Sequence, residues 1–244
     1  MKAQFGIVLF LIAFVFTAHA AEDGAFAKAN QAYAEGRFQE AATGYENLIR
    51  SGNWNASLFY DLGNARYRLG DFGQAVLNFE RALALDPRHP EADANLRLAR
   101  DEGRALELRR DWIERYASMA TMKQYTIAAA IAFWFALFIT AHLFFSRRSG
   151  GRIALIALSV IVCGVSIFAT YTLENGARGD ALAIVTGKDV EARLATADNA
   201  KSVLVLPAGS EIKILSERGD WVYAALPNDQ RGWIPAASAQ RVRM

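Results

Sequence analysis

The chain has 244 residues, of which 53% are hydrophobic, and a formal net charge of +2. So small a net charge makes no large single-sign field, and nucleic-acid binding has no electrostatic support. Its single cysteine, Cys163, excludes a disulfide framework and a metal site built on cysteine pairs.

The first element is an apolar run, FGIVLFLIAFVF, at residues 5–16 behind Met1 and Lys2. Twelve helical residues rise only about 18 Å, too little to cross a hydrocarbon core of roughly 30 Å. Ala18-His19-Ala20 follows, a small-x-small pattern suited to signal peptidase. Residues 1–20 are therefore expected to be a secretory signal peptide. An uncleaved anchor is the alternative, because one lysine is a thin positive region.

Residues 21–120 read as helical. Shifting residues 29–48 by 34 positions lays them on residues 63–82, so that Asn30 meets Asn64, Tyr33 meets Tyr67, Gly36 meets Gly70 and Phe38 meets Phe72. Ala41 then falls on Ala75, Tyr45 on Phe79 and Leu48 on Ala82, and Pro87 ends the second copy. A 34-residue period with small, aromatic and glycine sites resembles the tetratricopeptide repeat, a helical hairpin. Two repeats are expected, at about 25–52 and 59–87. Gly36 and Gly70 are placed where each hairpin turns, and Ala41 and Ala75 where its helices approach closely.

No third copy follows, since Arg97 stands in the place of Gly63 and Arg109 in that of Ala75. Leu96, Ala99, Gly103, Leu106, Ile113 and Ala117 recur at helical spacing instead, predicting an amphipathic capping helix over residues 90–119. A coiled-coil or partner-binding stripe is the other reading of that pattern. By position, the concave face of the repeats carries Phe26, Asn30, Tyr33, Tyr60, Asn64, Tyr67 and Arg68. The asparagines can hydrogen-bond a peptide backbone, and the tyrosines offer flat apolar contact. Equally, these side chains can simply complete the packing of the hairpins. In tetratricopeptide domains that clamp a C-terminal carboxylate, a lysine stands one turn before such an asparagine. Phe26 and Tyr60 hold those positions here, which argues against that ligand.

Two long apolar runs come next. Residues 125–145 and 153–171 carry no charged side chain, and each is long enough to span a bilayer as a helix. The expected membrane segments are 121–145 and 153–171, an antiparallel hairpin closed by the loop 146–152. That loop holds Arg147, Arg148 and Arg152. The positive-inside rule and an exported N-terminus agree in placing it in the cytoplasm, although Arg109, Arg110, Arg115 and Lys123 precede the first span. His142 and Cys163 lie within the spans and are read as packing residues.

From residue 180 to 244 the pattern alternates apolar and polar residues between turn residues, which predicts short strands. The turn Pro207-Ala208-Gly209, the GDW string ending at Trp221 and the closing Gly232-Trp233-Ile234 resemble the bacterial SH3-like barrel, over about 181–242. Trp221 and Trp233 suit either an aromatic groove for peptide or glycan or the core of that barrel.

The sequence presents no nucleophile–base pair and no metal-ligand spacing around His19, His89 or His142. Neither an enzyme nor a cofactor is expected. The fold class expected is thus a multidomain membrane protein, with an all-α tetratricopeptide domain, a two-helix transmembrane hairpin and a small all-β SH3-like barrel. This order of parts, together with LGNARYRLG, AVLNFERAL and ADANLRLAR within residues 62–100, resembles the tetratricopeptide member of the bacterial aerotolerance (Bat) operon proteins, the family called BatE. Asp61 stands where that family often has asparagine. The resemblance implies a Gram-negative inner-membrane adaptor for aerotolerance or envelope stress, with repeats and SH3-like domain in the periplasm. It also implies von Willebrand A-domain membrane proteins as partners and, indirectly, a MoxR-type AAA+ ATPase. A peptidoglycan-binding tether or sensor is the alternative function.

Overall fold

A computed structural model describes residues 24–145 and 150–243. The expected signal peptide and the loop arginines Arg147 and Arg148 lie outside the described residues. Two helical hairpins open the chain: α1 (residues 24–34) with α2 (Phe38–Arg50), and α3 (Ala56–Arg68) with α4 (Phe72–Leu85). Gly36 and Gly70 turn them at φ of 79° and 74°, a left-handed backbone that residues with a Cβ avoid. Asn55 caps α3 by accepting from the Leu58 N–H at 2.8 Å, and Asp71 caps α4 through the Gln74 N–H at 3.3 Å. The 34-residue repetition is geometric as well. Tyr33 meets Phe38 edge-on at 5.2 Å, and Tyr67 meets Phe72 edge-on at 5.7 Å.

Small residues bring the helices together. Ala29, Ala32, Ala41, Ala42 and Ala65 are buried around Tyr45 and Leu58. Against Gly63 lies the Phe79 ring, so close that a Cβ there would stand 2.6 Å from it.

The next helix, α5 (Pro90–Gly103), stacks on α4 and starts with Pro90 behind the capping ring of His89, whose Nδ1 accepts from the Ala92 N–H. It does not continue to residue 119 as predicted. Arg104 turns left-handed at φ 51°, and residues 105–110 form a strap without regular secondary structure before the short α6 (Trp112–Ala117). The strap finds its partners outside the helical region. Leu106, counted in the helical stripe, packs instead on the core of the C-terminal sheet.

Two long helices, α7 (Met122–Phe145) and α8 (Gly150–Asn175), lie antiparallel against one another. Gly150 to Arg152, expected in the loop, belong to α8. Both helices are long and apolar enough to cross a membrane, and only 6% and 17% of their apolar windows is buried. A core helix of a soluble protein hides its apolar side chains, whereas these present them outward.

The C-terminal region is a seven-stranded antiparallel sheet of β1 (Leu182–Val185), β2 (Val190–Arg193), β3 (Ser202–Leu206), β4 (Glu211–Arg218), β5 (Trp221–Ala225), β6 (Arg231–Pro235) and β7 (Ala239–Arg241). Its order is β3-β2-β6-β5-β4-β1-β7. Among the described residues β3 and β7 do not pair, so the sheet is not the closed barrel expected. The β7 edge meets the repeats instead: Arg81 of α4 donates to the Arg241 carbonyl at 3.1 Å, and Val242 is buried beside α4. A helix thus covers an edge that would otherwise be open.

The contact between repeats and sheet is extensive. Val76, Leu77 and Phe79 of α4 and Leu96 and Ala99 of α5 share one core with Leu182 and Ile184 of β1. Beside it, Arg100 of α5 is buried between Glu80 of α4 and Glu211 of β4, pairing with both. Arg178 adds ion pairs to Glu211 at 2.9 Å and Glu107 at 3.3 Å. The strap closes this cluster. The Leu108 N–H donates to the Glu211 carboxylate at 3.0 Å, the Leu106 N–H to Ser210 Oγ at 3.0 Å, and the Glu211 N–H to the Leu106 carbonyl at 2.8 Å. Burial raises the Glu80 pKa, which Arg100 and Arg178 hold down in part.

Candidate functional site

The face shared by α1 and α3 gathers the seven residues expected there. Asn30 and Arg68 are exposed, while Phe26, Tyr33, Tyr60, Asn64 and Tyr67 are half-buried. Each also has a partner within the chain. Asn30 Oδ1 accepts from the Tyr45 hydroxyl at 2.7 Å. Its equivalent, Asn64, has Phe79 at the repeat position of Tyr45, and accepts instead from Asn95 Nδ2 of α5 at 2.8 Å. Tyr60 stacks near His89 at 4.8 Å, and Arg68 lies 4.9 Å over the Phe38 ring. Phe26 tilts on Tyr45 at 6.0 Å. Partner contact and hairpin packing therefore coexist: one edge of each side chain is engaged and the other stays open.

What the open edges offer is specific. The two asparagines use their carbonyl oxygens internally, so their amide N–H groups remain as donors. The acceptor is Asp61, a residue not counted among the candidates. Its carboxylate is half-buried, and among the described residues it makes no hydrogen bond or ion pair. Burial raises its pKa to about 6, with His89 opposing. Burial and the nearby Asp61 also raise the pKa of Tyr45. Donors, acceptor and aromatic rings in one row can hold an extended backbone and a single cationic group. A polar residue inside the apolar string LFYDL was the signal that could have singled out Asp61.

The sheet carries a second aromatic surface. Trp221 pairs in register with Pro235 and Tyr223 with Trp233, which puts these side chains on one face of β5 and β6. The alternate residues Val222, Ala224 and Ile234 fill the core, and neither tryptophan belongs to it. Tyr223 and Trp233 stack at 5.0 Å with their planes at 37°. Tyr223 was legible from the alternation in Trp-Val-Tyr. Among the described residues, no group of His, Cys, Asp or Glu side chains could hold a metal ion.

Residues 56–89 match the tetratricopeptide repeat family. They span α3 and α4 and the turn into α5, so the chain carries a tetratricopeptide repeat. Among solved structures, the Arabidopsis OM64 TPR domain is 19% identical, covering 57% of this chain and 93% of its own, with a TM-score of 0.33. That superposition is too loose to carry a structural inference. No curated protein matches the chain.

Proposed function

We propose that the protein is a non-enzymatic adaptor, anchored in a bacterial inner membrane by α7 and α8, whose repeat face holds an extended segment of a partner protein. The observation that carries this reading is the row of open hydrogen-bonding groups, Asn30 and Asn64 amides around the unpaired Asp61 carboxylate, set on tyrosine rings. The resemblance to BatE supplies the expected partners, von Willebrand A-domain membrane proteins, and through them a MoxR-type ATPase in support of aerotolerance or envelope stress. That α7 begins and α8 ends beside the packed repeats and sheet supports a reading in which both domains share one side of the bilayer, the periplasm. Co-isolation of von Willebrand A-domain partners should fall sharply with Asn30→Ala/Asn64→Ala and with Asp61→Arg. Recovery equal to wild type in both variants would count against this face.

A second reading is favoured by the outward Trp221, Tyr223 and Trp233: an SH3-like domain that touches peptidoglycan. Aromatic faces stack on sugar rings, and these three are not used by the core. Sedimentation of the full chain with purified sacculi, lost on Trp233→Ala, would support it. No sedimentation of the wild type removes it.

A further inference from the structure

Where α7 begins and α8 ends, a cleft of about 620 Å³ opens between the end of α4, α6 and the two long helices. Five cationic side chains line it, Arg88, Arg110, Lys123, Arg178 and Arg243, against two acidic ones, Asp86 and Glu114. Two of the five are committed: Arg178 to Glu211 and Glu107, and Arg243 to Asp180. Glu114 is committed as well, accepting from the Ala177 N–H at 2.8 Å. Among the described residues, Arg88, Arg110 and Lys123 make no ion pair. Arg110 is half-buried, and burial together with the neighbouring Arg178 holds its pKa below the usual arginine range. A cation in that position is relieved by an arriving anion.

The other wall is apolar. Ala120 just before α7, Met122 at its start and Leu173 near the end of α8 line it, and beyond them run the exposed apolar surfaces of both helices. On α6, Trp112 and Tyr116 are 68% and 64% exposed, amphipathic rings of the kind that settle at a membrane–water boundary. The cleft is therefore basic on the side of the globular domains, apolar on the side of the helices, and placed at headgroup height.

We propose that this cleft binds an anionic phospholipid, its phosphate held by Arg88, Arg110 and Lys123 and its acyl chains laid along α7 and α8. The inference rests on reading α7 and α8 as membrane spans. It also gives a role to cations that stand before the first span on the non-cytoplasmic side. Arg110 and Lys123 line the cleft, whereas Arg109 and Arg115 do not.

The test uses the full chain, first extracted from membranes that have been washed with carbonate, then exposed in mild detergent to phosphatidylglycerol or phosphatidylcholine and weighed by native mass spectrometry. Phosphatidylglycerol should be retained roughly tenfold better, since each cation near an anionic surface contributes on the order of a few-fold in affinity. The variant Arg88→Gln/Arg110→Gln/Lys123→Gln should lose that preference, and Arg88→Gln alone, at an exposed position, should weaken it. Arg109→Gln/Arg115→Gln should leave it intact. Millimolar inorganic phosphate should not displace the lipid. Equal retention of the two lipids, a preference that survives in both the triple and the single variant, or complete displacement by phosphate would each overturn the proposal, the last marking a site for soluble anions. A chain released by carbonate would overturn the membrane reading itself, and the lipid site with it.

Discussion

Asp61 holds its proton to a pH about two units higher than an exposed aspartate, because burial in the repeat face disfavours its charge (a pKa of about 6 against 3.8). Between those values the folded chain binds a proton that the unfolded chain has lost. Stability contributed at this site is thus greatest at low pH and falls as pH rises from about 4 to about 6. Asp61→Asn should flatten that slope and stabilise the protein at pH 7.5 by about 1 kcal/mol, after discounting for the solvent-open side of the face. Urea melts across pH 4 to 7.5 measure this, and an unchanged slope would show that the carboxylate is solvated. Gly63 makes the opposite demand. Its absent Cβ leaves room for the Phe79 ring, which is fully buried and has nowhere to move. Gly63→Ala should therefore cost about 2 kcal/mol in the same melts. The second copy of the repeat was legible because its residues serve local packing at fixed spacing. Asp61 was noticed only as a departure from asparagine, since nothing local reveals that its carboxylate goes unpaired.

At the scale of elements, the junction of α5, the strap and β4 decides how far sequence reasoning reaches. The periodicity through Leu96, Ala99, Gly103 and Leu106 predicted one helix, but Leu106 answers to a sheet whose strands arrive about a hundred residues later. Glu211 accepts from Leu108 across 103 residues and pairs with Arg100 across 111. Helical spacing cannot distinguish a stripe that faces a neighbouring helix from one that hands over to a strand. The open β7 edge was hidden for the same reason, because its cover is α4. Arg100 is the residue on which this junction turns. Arg100→Ala leaves the buried Glu80 with only Arg178 at 4.0 Å and takes one of two arginine partners from Glu211, and should destabilise by about 3 kcal/mol. The exposed Arg97, paired to Asp93 one turn away, should cost less than about 1 kcal/mol when changed to Ala. Comparable losses in the two variants would mean that the buried cluster is solvated.

For the whole molecule, the shared core of α4, α5 and β1 makes the repeats and the sheet one cooperative unit rather than two domains on a tether. The long helices can then be removed without separating the halves, because the Ala177 N–H already reaches Glu114 of α6 at 2.8 Å. A chain in which residues 119–175 are replaced by a short Gly/Ser linker should be soluble and melt in a single transition seen identically by far-ultraviolet circular dichroism and tryptophan fluorescence. Two separated transitions would show that the junction is weak. In the intact protein, alkaline phosphatase fused after Met244 should be active and the same fusion after Gly150 inactive. The reverse pattern would invert the orientation, and activity at both would dissolve the hairpin.

The strap at residues 105–110 also imposes an order on synthesis. Its backbone partners, Ser210 and Glu211, leave the ribosome only after both apolar helices have been made and committed to their destination. Until then the α4 face that β1 will cover, around Val76 and Leu77, stands bare. Contacts so distant in sequence form slowly, and uncovered apolar faces invite association while they wait. Biogenesis therefore passes through an intermediate with a bare apolar face, and the amount of protein a cell accumulates should depend on chaperones more steeply than its final stability suggests.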